Sequence, residues 1–149
     1  MPLLDMSNLE NEADAQVRMT PIEKSDTEVV CLVDDDPAVL TSLERLLASG
    51  GFSVRSFNKP KSFLAHVQAH PVPVVVLDIW MEEMTGLEIQ ASLSALSPST
   101  RVIVITGHKD PSAKLIASQF GVVAFFTKPF DGDQFLSAVR GALAMQPIE

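Results

Sequence analysis

The sequence predicts an α/β fold, a (βα)5 doubly wound parallel sheet with strand order 2-1-3-4-5. From Val29 onward, short β-branched runs alternate with helix-length amphipathic segments, the pattern of consecutive βαβ units. Residues 29–33, 74–77, 102–105 and 123–127 are almost continuously apolar, as strands covered on both faces require. A further run, residues 52–57, mixes Ser53, Arg55 and Ser56 with apolar residues and therefore suits a sheet edge.

The helices carry their own punctuation. Asp36 then Pro37 reads as an N-cap followed by an N1 proline, and Val39, Leu40, Leu43, Leu46 and Leu47 form one apolar stripe that ends at Gly50-Gly51. A second helix precedes the run at 74; His66 and His70 lie on it or just after it and read as solvated. Thr85-Gly86-Leu87-Glu88 fits a capping box for a helix carrying Leu87, Leu93 and Leu96. Asp110-Pro111 repeats the cap-then-proline device, and Ala113, Ile116, Ala117 and Phe120 are expected to face inward before Gly121. The last helix follows residues 131–133, with Phe135, Leu136, Val139 and Leu143 on its apolar side.

A chain of 149 residues is long enough for one sizeable core. Its formal net charge of -8 argues against direct binding to nucleic acid or to an anionic membrane, both of which need a basic footprint. Seven of the 19 acidic residues (Asp5, Glu10, Glu12, Asp14, Glu23, Asp26, Glu28) precede Val29. Residues 1–27 are polar and poor in aromatics, so they read as a disordered acidic tail, although Leu9, Ala13 and Val17 recur at helical spacing. The folded part is assigned to residues 28–145 and a short C-terminal tail to 146–149. The one cysteine, Cys31, excludes an intramolecular disulfide and reads as a small buried hydrophobe. With neither a secretion signal nor a membrane-length apolar stretch in the sequence, the expected location is the cytoplasm.

Ligands of such sheets bind beyond the carboxyl ends of the strands. Asp34 and Asp35, Asp78, Thr106 and Lys128 each close an apolar run, so the fold should bring them together. Clustered carboxylates repel one another unless a hard cation neutralises them, so three Asp, one hydroxyl and one ammonium suggest a pocket for Mg²⁺ and a phosphoryl group. Asp78 reads as the phosphoacceptor, whereas Asp36 reads as a helix cap. His108, two residues past Thr106, is a candidate for the site rim.

Val33-Asp34-Asp35-Asp36, Asp78-Ile79-Trp80-Met81 continuing to Met84-Thr85-Gly86, Thr106-Gly107, and Lys128-Pro129-Phe130 together resemble the receiver domain of two-component response regulators. The run Ile105-Thr106-Gly107-His108 is close to the FixJ-like receivers. The resemblance implies a flavodoxin-like strand order and phosphorylation of Asp78 by a sensor histidine kinase or a histidine phosphotransfer protein. It implies Mg²⁺ (or Mn²⁺) held directly by Asp35, Asp78 and the backbone carbonyl of Trp80, with Asp34 acting through water. It makes Lys128 and Thr106 the phosphoryl-contacting partners and Phe125 an aromatic switch that follows Thr106. Catalysis would be confined to the protein's own phosphorylation and dephosphorylation. Output would pass to a protein target through the face of the fourth helix, fifth strand and fifth helix, or to a phosphorylation-dependent homodimer.

One position departs from the family pattern. Many relatives carry proline four residues after the phosphoacceptor, where this chain has Glu82 followed by Glu83. The substitution removes a conformational lock and adds negative charge at the rim. It keeps open a binding module that signals without phosphorylation. A haloacid-dehalogenase-like phosphatase is a weaker rival, because it needs its nucleophile on the first strand and a second Asp two residues on. Taken as a whole protein, the chain is expected to be a single-domain regulator, the alternative being the receiver part of a larger transcriptional regulator.

Overall fold

The computed structural model describes residues 29–107, 111–119 and 121–145. The acidic segment 1–27, the C-terminal residues 146–149, the cap Asp110, Phe120 and His108 lie outside the described residues, as do the side chains of Ala113 and Ile116. Five strands, β1 (Val29–Val33), β2 (Ser53–Phe57), β3 (Val74–Asp78), β4 (Arg101–Thr106) and β5 (Ala124–Thr127), form one parallel sheet in the order β2-β1-β3-β4-β5. Between and after them run α1 (Pro37–Ser49), α2 (Pro60–Ala69), α3 (Gly86–Leu96), α4 (Pro111–Gln119) and α5 (Gly132–Ala144). This is the predicted flavodoxin-like arrangement, with the polar strand β2 at an edge.

The period-2 alternation of strand side chains divides the core into two layers. Val30, Leu32, Val74, Val76, Ile103 and Ile105 meet Leu40, Leu43 and Leu47 of α1 and Phe135, Leu136 and Val139 of α5. Cys31, Val33, Val75, Leu77, Val102 and Val104 meet Phe63 and Val67 of α2 and Ile89 and Leu93 of α3 on the opposite face. Both faces of the central strands are thus apolar, so these strands read as continuous hydrophobic runs.

Two of the caps expected from sequence form among the described residues. Asp36 Oδ1 accepts the Ala38 N–H at 2.9 Å, and Thr85 and Glu88 make both bonds of a capping box at 3.1 and 2.8 Å. Asp131 Oδ1 accepts from the N–H groups of Asp133 and Gln134. After α1 the chain turns at Gly51, whose φ of 88° lies in the left-handed region that glycine enters without a Cβ penalty.

Two expectations need correction. Leu93 is buried as expected, but Leu96 is 43% exposed, and the other buried positions of α3 are Gly86, Ile89 and Gln90. His66 is half-buried rather than solvated: its ring lies 5.2 Å from that of Phe57 and stacks on His70 at 4.4 Å. Cys31 is buried, as a strand residue facing a helix layer should be.

Candidate functional site

Parallel register levels the strand ends. Val33 pairs with Leu77, Asp78 with Ile105 and Thr106 with Thr127, so the residues that follow these strands emerge at one rim of the sheet. The ladder continues past the strands themselves, through Asp34 N–H to the Phe57 carbonyl at 3.1 Å and Lys128 N–H to the Thr106 carbonyl at 2.8 Å. One carboxylate oxygen from each of Asp34, Asp35 and Asp78 lies within 4.8 Å of the others. Lys128 reaches the same cluster, its Nζ standing 3.9 Å from Asp34 Oδ2.

Local hydrogen bonds fix each acid differently. Asp34 is buried and its Oδ1 accepts the Asp36 N–H at 2.9 Å. Asp78 is half-buried and its Oδ1 accepts the Trp80 N–H at 3.3 Å. Asp35 is exposed, and its Oδ2 accepts the backbone N–H of Glu82 at 3.0 Å. Burial pushes the Asp34 carboxyl up to about 6, with Asp78 and Asp35 adding repulsion that the Asp36 N–H and Lys128 only partly offset. Asp78 is raised too, again chiefly by burial, with Lys128 pulling the other way.

Three carboxylates against the Lys128 ammonium leave surplus negative charge in a partly desolvated crevice. Oxygen donors of this kind suit a hard divalent cation, which would restore the ionised forms. The donor set of Asp34, Asp35 and Asp78 therefore fits a cation such as Mg²⁺. Asp36 stands apart, its carboxylate being committed to the start of α1.

The other candidates occupy distinct shells. Thr106 is fully buried at the end of β4, and Phe125, one strand over, is half-buried against the layer that contains α2 and α3. Trp80 and Glu82 lie exposed at the rim in the β3–α3 loop. That loop lacks a proline ring, yet it is tied by the Glu82–Asp35 bond and by Glu83 Oε1, which accepts the Lys61 N–H at 3.3 Å. Sequence reasoning missed both ties, because a backbone donor leaves no mark in residue type. It also missed the part played by Gly86, whose N–H donates to the Ile79 carbonyl at 2.9 Å and where a Cβ would fall 2.5 Å from the Asp78 carbonyl oxygen. The start of α3 therefore packs directly on the backbone of Asp78.

A doubly wound sheet with an acidic triad and a lysine at its carboxyl rim defines a class, and comparison with known proteins identifies the family. Residues 30–140 match the response regulator receiver domain, and the chain belongs to that family. It is 40% identical over 119 residues to the response regulator protein TodT of Pseudomonas putida, a match covering 80% of this chain and 52% of TodT. The chain thus spans about half of that relative's length. Among solved structures, FixJ-N superposes with a TM-score of 0.74 at 32% identity, covering 80% of this chain and 97% of that one. The BeF3-activated DrrB receiver domain gives a TM-score of 0.71 at 28% identity, with 78% and 97% coverage. No helix among the described residues is long and apolar enough to cross a membrane.

Proposed function

We propose that Asp78 accepts a phosphoryl group from a phosphohistidine donor, and that the resulting acyl phosphate changes the protein-binding surface of this receiver. The observation that carries the reading is the convergence of Asp34, Asp35 and Asp78 within 4.8 Å of one another beside Lys128. An oxygen of Asp78 attacks phosphorus, the N–P bond of the donor breaks, and the imidazole nitrogen leaves with the electron pair and takes up a proton. Mg²⁺ (or Mn²⁺), which Asp35, Asp78 and the Trp80 carbonyl would hold directly and Asp34 through water, would supply neutralisation of the equatorial phosphoryl charge.

The chain's own groups do the rest. Lys128 offers an ammonium to a phosphoryl oxygen, and the Trp80 N–H orients the Asp78 carboxylate. The hydroxyl of Thr106 donates to a phosphoryl oxygen once its loop moves inward, and Phe125 follows into the space released. The readout falls on α4, β5 and α5, toward a protein target or a second copy of the chain. A BeF3-activated relative of the same fold supports an activation chemistry of this kind.

The test is labelling by acetyl phosphate and Mg²⁺, with the modified residue mapped by mass spectrometry. One phosphoryl group on Asp78, lost in a folded Asp78→Asn variant and on chelation of the metal, is the expected result. Labelling of folded Asp78→Asn at another Asp would overturn the assignment. Steady turnover of a generic phosphomonoester would point to a phosphatase instead.

A further inference from the structure

We infer that the backbone N–H of Glu82 is a positioning group for Asp35, and that Glu82 and Glu83 latch the β3–α3 loop onto the acidic pair and onto α2. The inference rests on the Mg²⁺ reading above. Glu82 N–H donates to Asp35 Oδ2 at 3.0 Å between residues 47 apart in sequence, so the bond joins the loop after β1 to the loop after β3. The next residue makes the second anchor: Glu83 Oε1 accepts the N–H of Lys61 at 3.3 Å. Lys61 lies in the first turn of α2, whose N-cap Lys59 makes no side-chain cap bond. Glu83 therefore supplies both an acceptor for an otherwise orphaned helix N–H and a negative charge at the positive end of the helix.

The consequence for Asp35 is preorganisation. Asp35 is exposed, and an exposed carboxylate must give up rotamer freedom to hold a cation. A hydrogen bond that already fixes the side chain lowers that cost. A carboxylate has about four acceptor positions on its two oxygens, so the Glu82 bond leaves lone pairs for a metal ion. Outer partners of this kind typically change metal affinity by about 10- to 100-fold. Glu82 thus acts through Asp35 by its main chain, and its side-chain charge is secondary.

Two measurements test the latch. The first is hydrogen exchange at the Glu82 amide, followed by NMR in wild type and Asp35→Ala: protection in wild type that falls about tenfold in the variant is expected, and equal exchange in both would overturn the bond. The second is a Mg²⁺ titration read by the single tryptophan, Trp80, on wild type, Glu82→Ala and Glu82→Pro. Proline removes the N–H, so Glu82→Pro is expected to weaken Mg²⁺ about tenfold. Glu82→Ala keeps the donor and is expected to stay within about threefold of wild type; a loss equal to that of the proline variant would overturn the positioning role. A wild type with no Mg²⁺ response would count against the metal reading itself, while the exchange comparison would still decide the latch.

Discussion

The ammonium of Lys128 stands 3.9 Å from Asp34 Oδ2, spanning the ends of two strands that β3 and β4 separate in the sheet. The contact is long for an ion pair, and it does not cancel the cost of burying Asp34. Burial is the largest influence on that carboxyl, which is why it sits at about 6 despite a cation beside it. The site is therefore electrostatically incomplete, and its incompleteness has measurable consequences.

The first concerns pH in metal-free protein. Asp34 ionises near 3.8 when unfolded and near 6 when folded, so the folded state holds its proton more tightly. The associated stability is fully present below about pH 4 and is lost as pH rises through about 6, to a total of at most ~3 kcal/mol. Asp34→Asn removes this titration. In the presence of a chelator it is expected to match wild type in unfolding free energy near pH 4 and to exceed it near pH 7, as measured by urea unfolding. Equal pH dependence in the two proteins would show that burial of Asp34 carries no such penalty.

Lys128 lowers the carboxyls of both Asp34 and Asp78, although it is not the dominant influence on either. Lys128→Met keeps much of the aliphatic stem and removes the charge. Both carboxyls are expected to titrate higher than in wild type, observed by carbon NMR of the aspartate side chains without metal. Unmoved titrations would place the ammonium too far away, or too well solvated, to act on the cluster.

Gly86 and Gly141 make an internal comparison, since both are helical and only one is crowded. A Cβ on Gly86 would fall 2.5 Å from the Asp78 carbonyl oxygen and 3.1 Å from Ile79 Cα, neither of which is a flexible side-chain end. Gly86→Ala should therefore cost about 1–3 kcal/mol despite alanine's better helix propensity, and should reduce labelling of Asp78 by displacing its backbone. A Cβ on Gly141 meets nothing within 4 Å, so Gly141→Ala should stabilise by about 0.5–1 kcal/mol and leave labelling as it is. Thermal melts and acetyl phosphate labelling of the two variants separate the effects. A stabilised, normally labelled Gly86→Ala would mean that α3 does not press on the end of β3.

How much of this was legible in the sequence follows from what sets each feature. Asp34, Asp35 and Asp78 could be found because each ends an apolar run, and parallel register brings run ends level, as the Val33–Leu77 and Asp78–Ile105 pairs do. Asp36 could be read as a cap because the following Pro37 marks the start of a helix. His66 could not be placed, because its partner Phe57 belongs to another element whose buried face is set only by packing. Glu82 looked like added charge and a lost lock because residue type reports the side chain, whereas its main-chain N–H makes the contact that matters. Gly86 looked like part of a capping motif, and its closeness to the Asp78 carbonyl is a product of how α3 lies on β3.

The lifetime of the phosphorylated state depends on how readily water attacks phosphorus in line with the Asp78 oxygen. Trp80 is anchored beside that oxygen by its own backbone, whose N–H donates to Asp78 Oδ1 at 3.3 Å, while the residue is 45% exposed. We propose that its indole, with one donor and no acceptor, shields that approach without orienting an attacking water, as an amide or carboxylate could. Slow self-hydrolysis is expected. Trp80→Asn keeps the backbone bond and exchanges the shield for a group that can hold water, so the phosphorylated variant should decay roughly tenfold faster, equivalent to about 1.4 kcal/mol of barrier. The measurement is loss of phosphoryl label with time after removal of the donor, with both proteins at the same Mg²⁺ concentration. A Trp80→Asn protein that decays no faster than wild type would show that the indole does not guard the phosphoryl group.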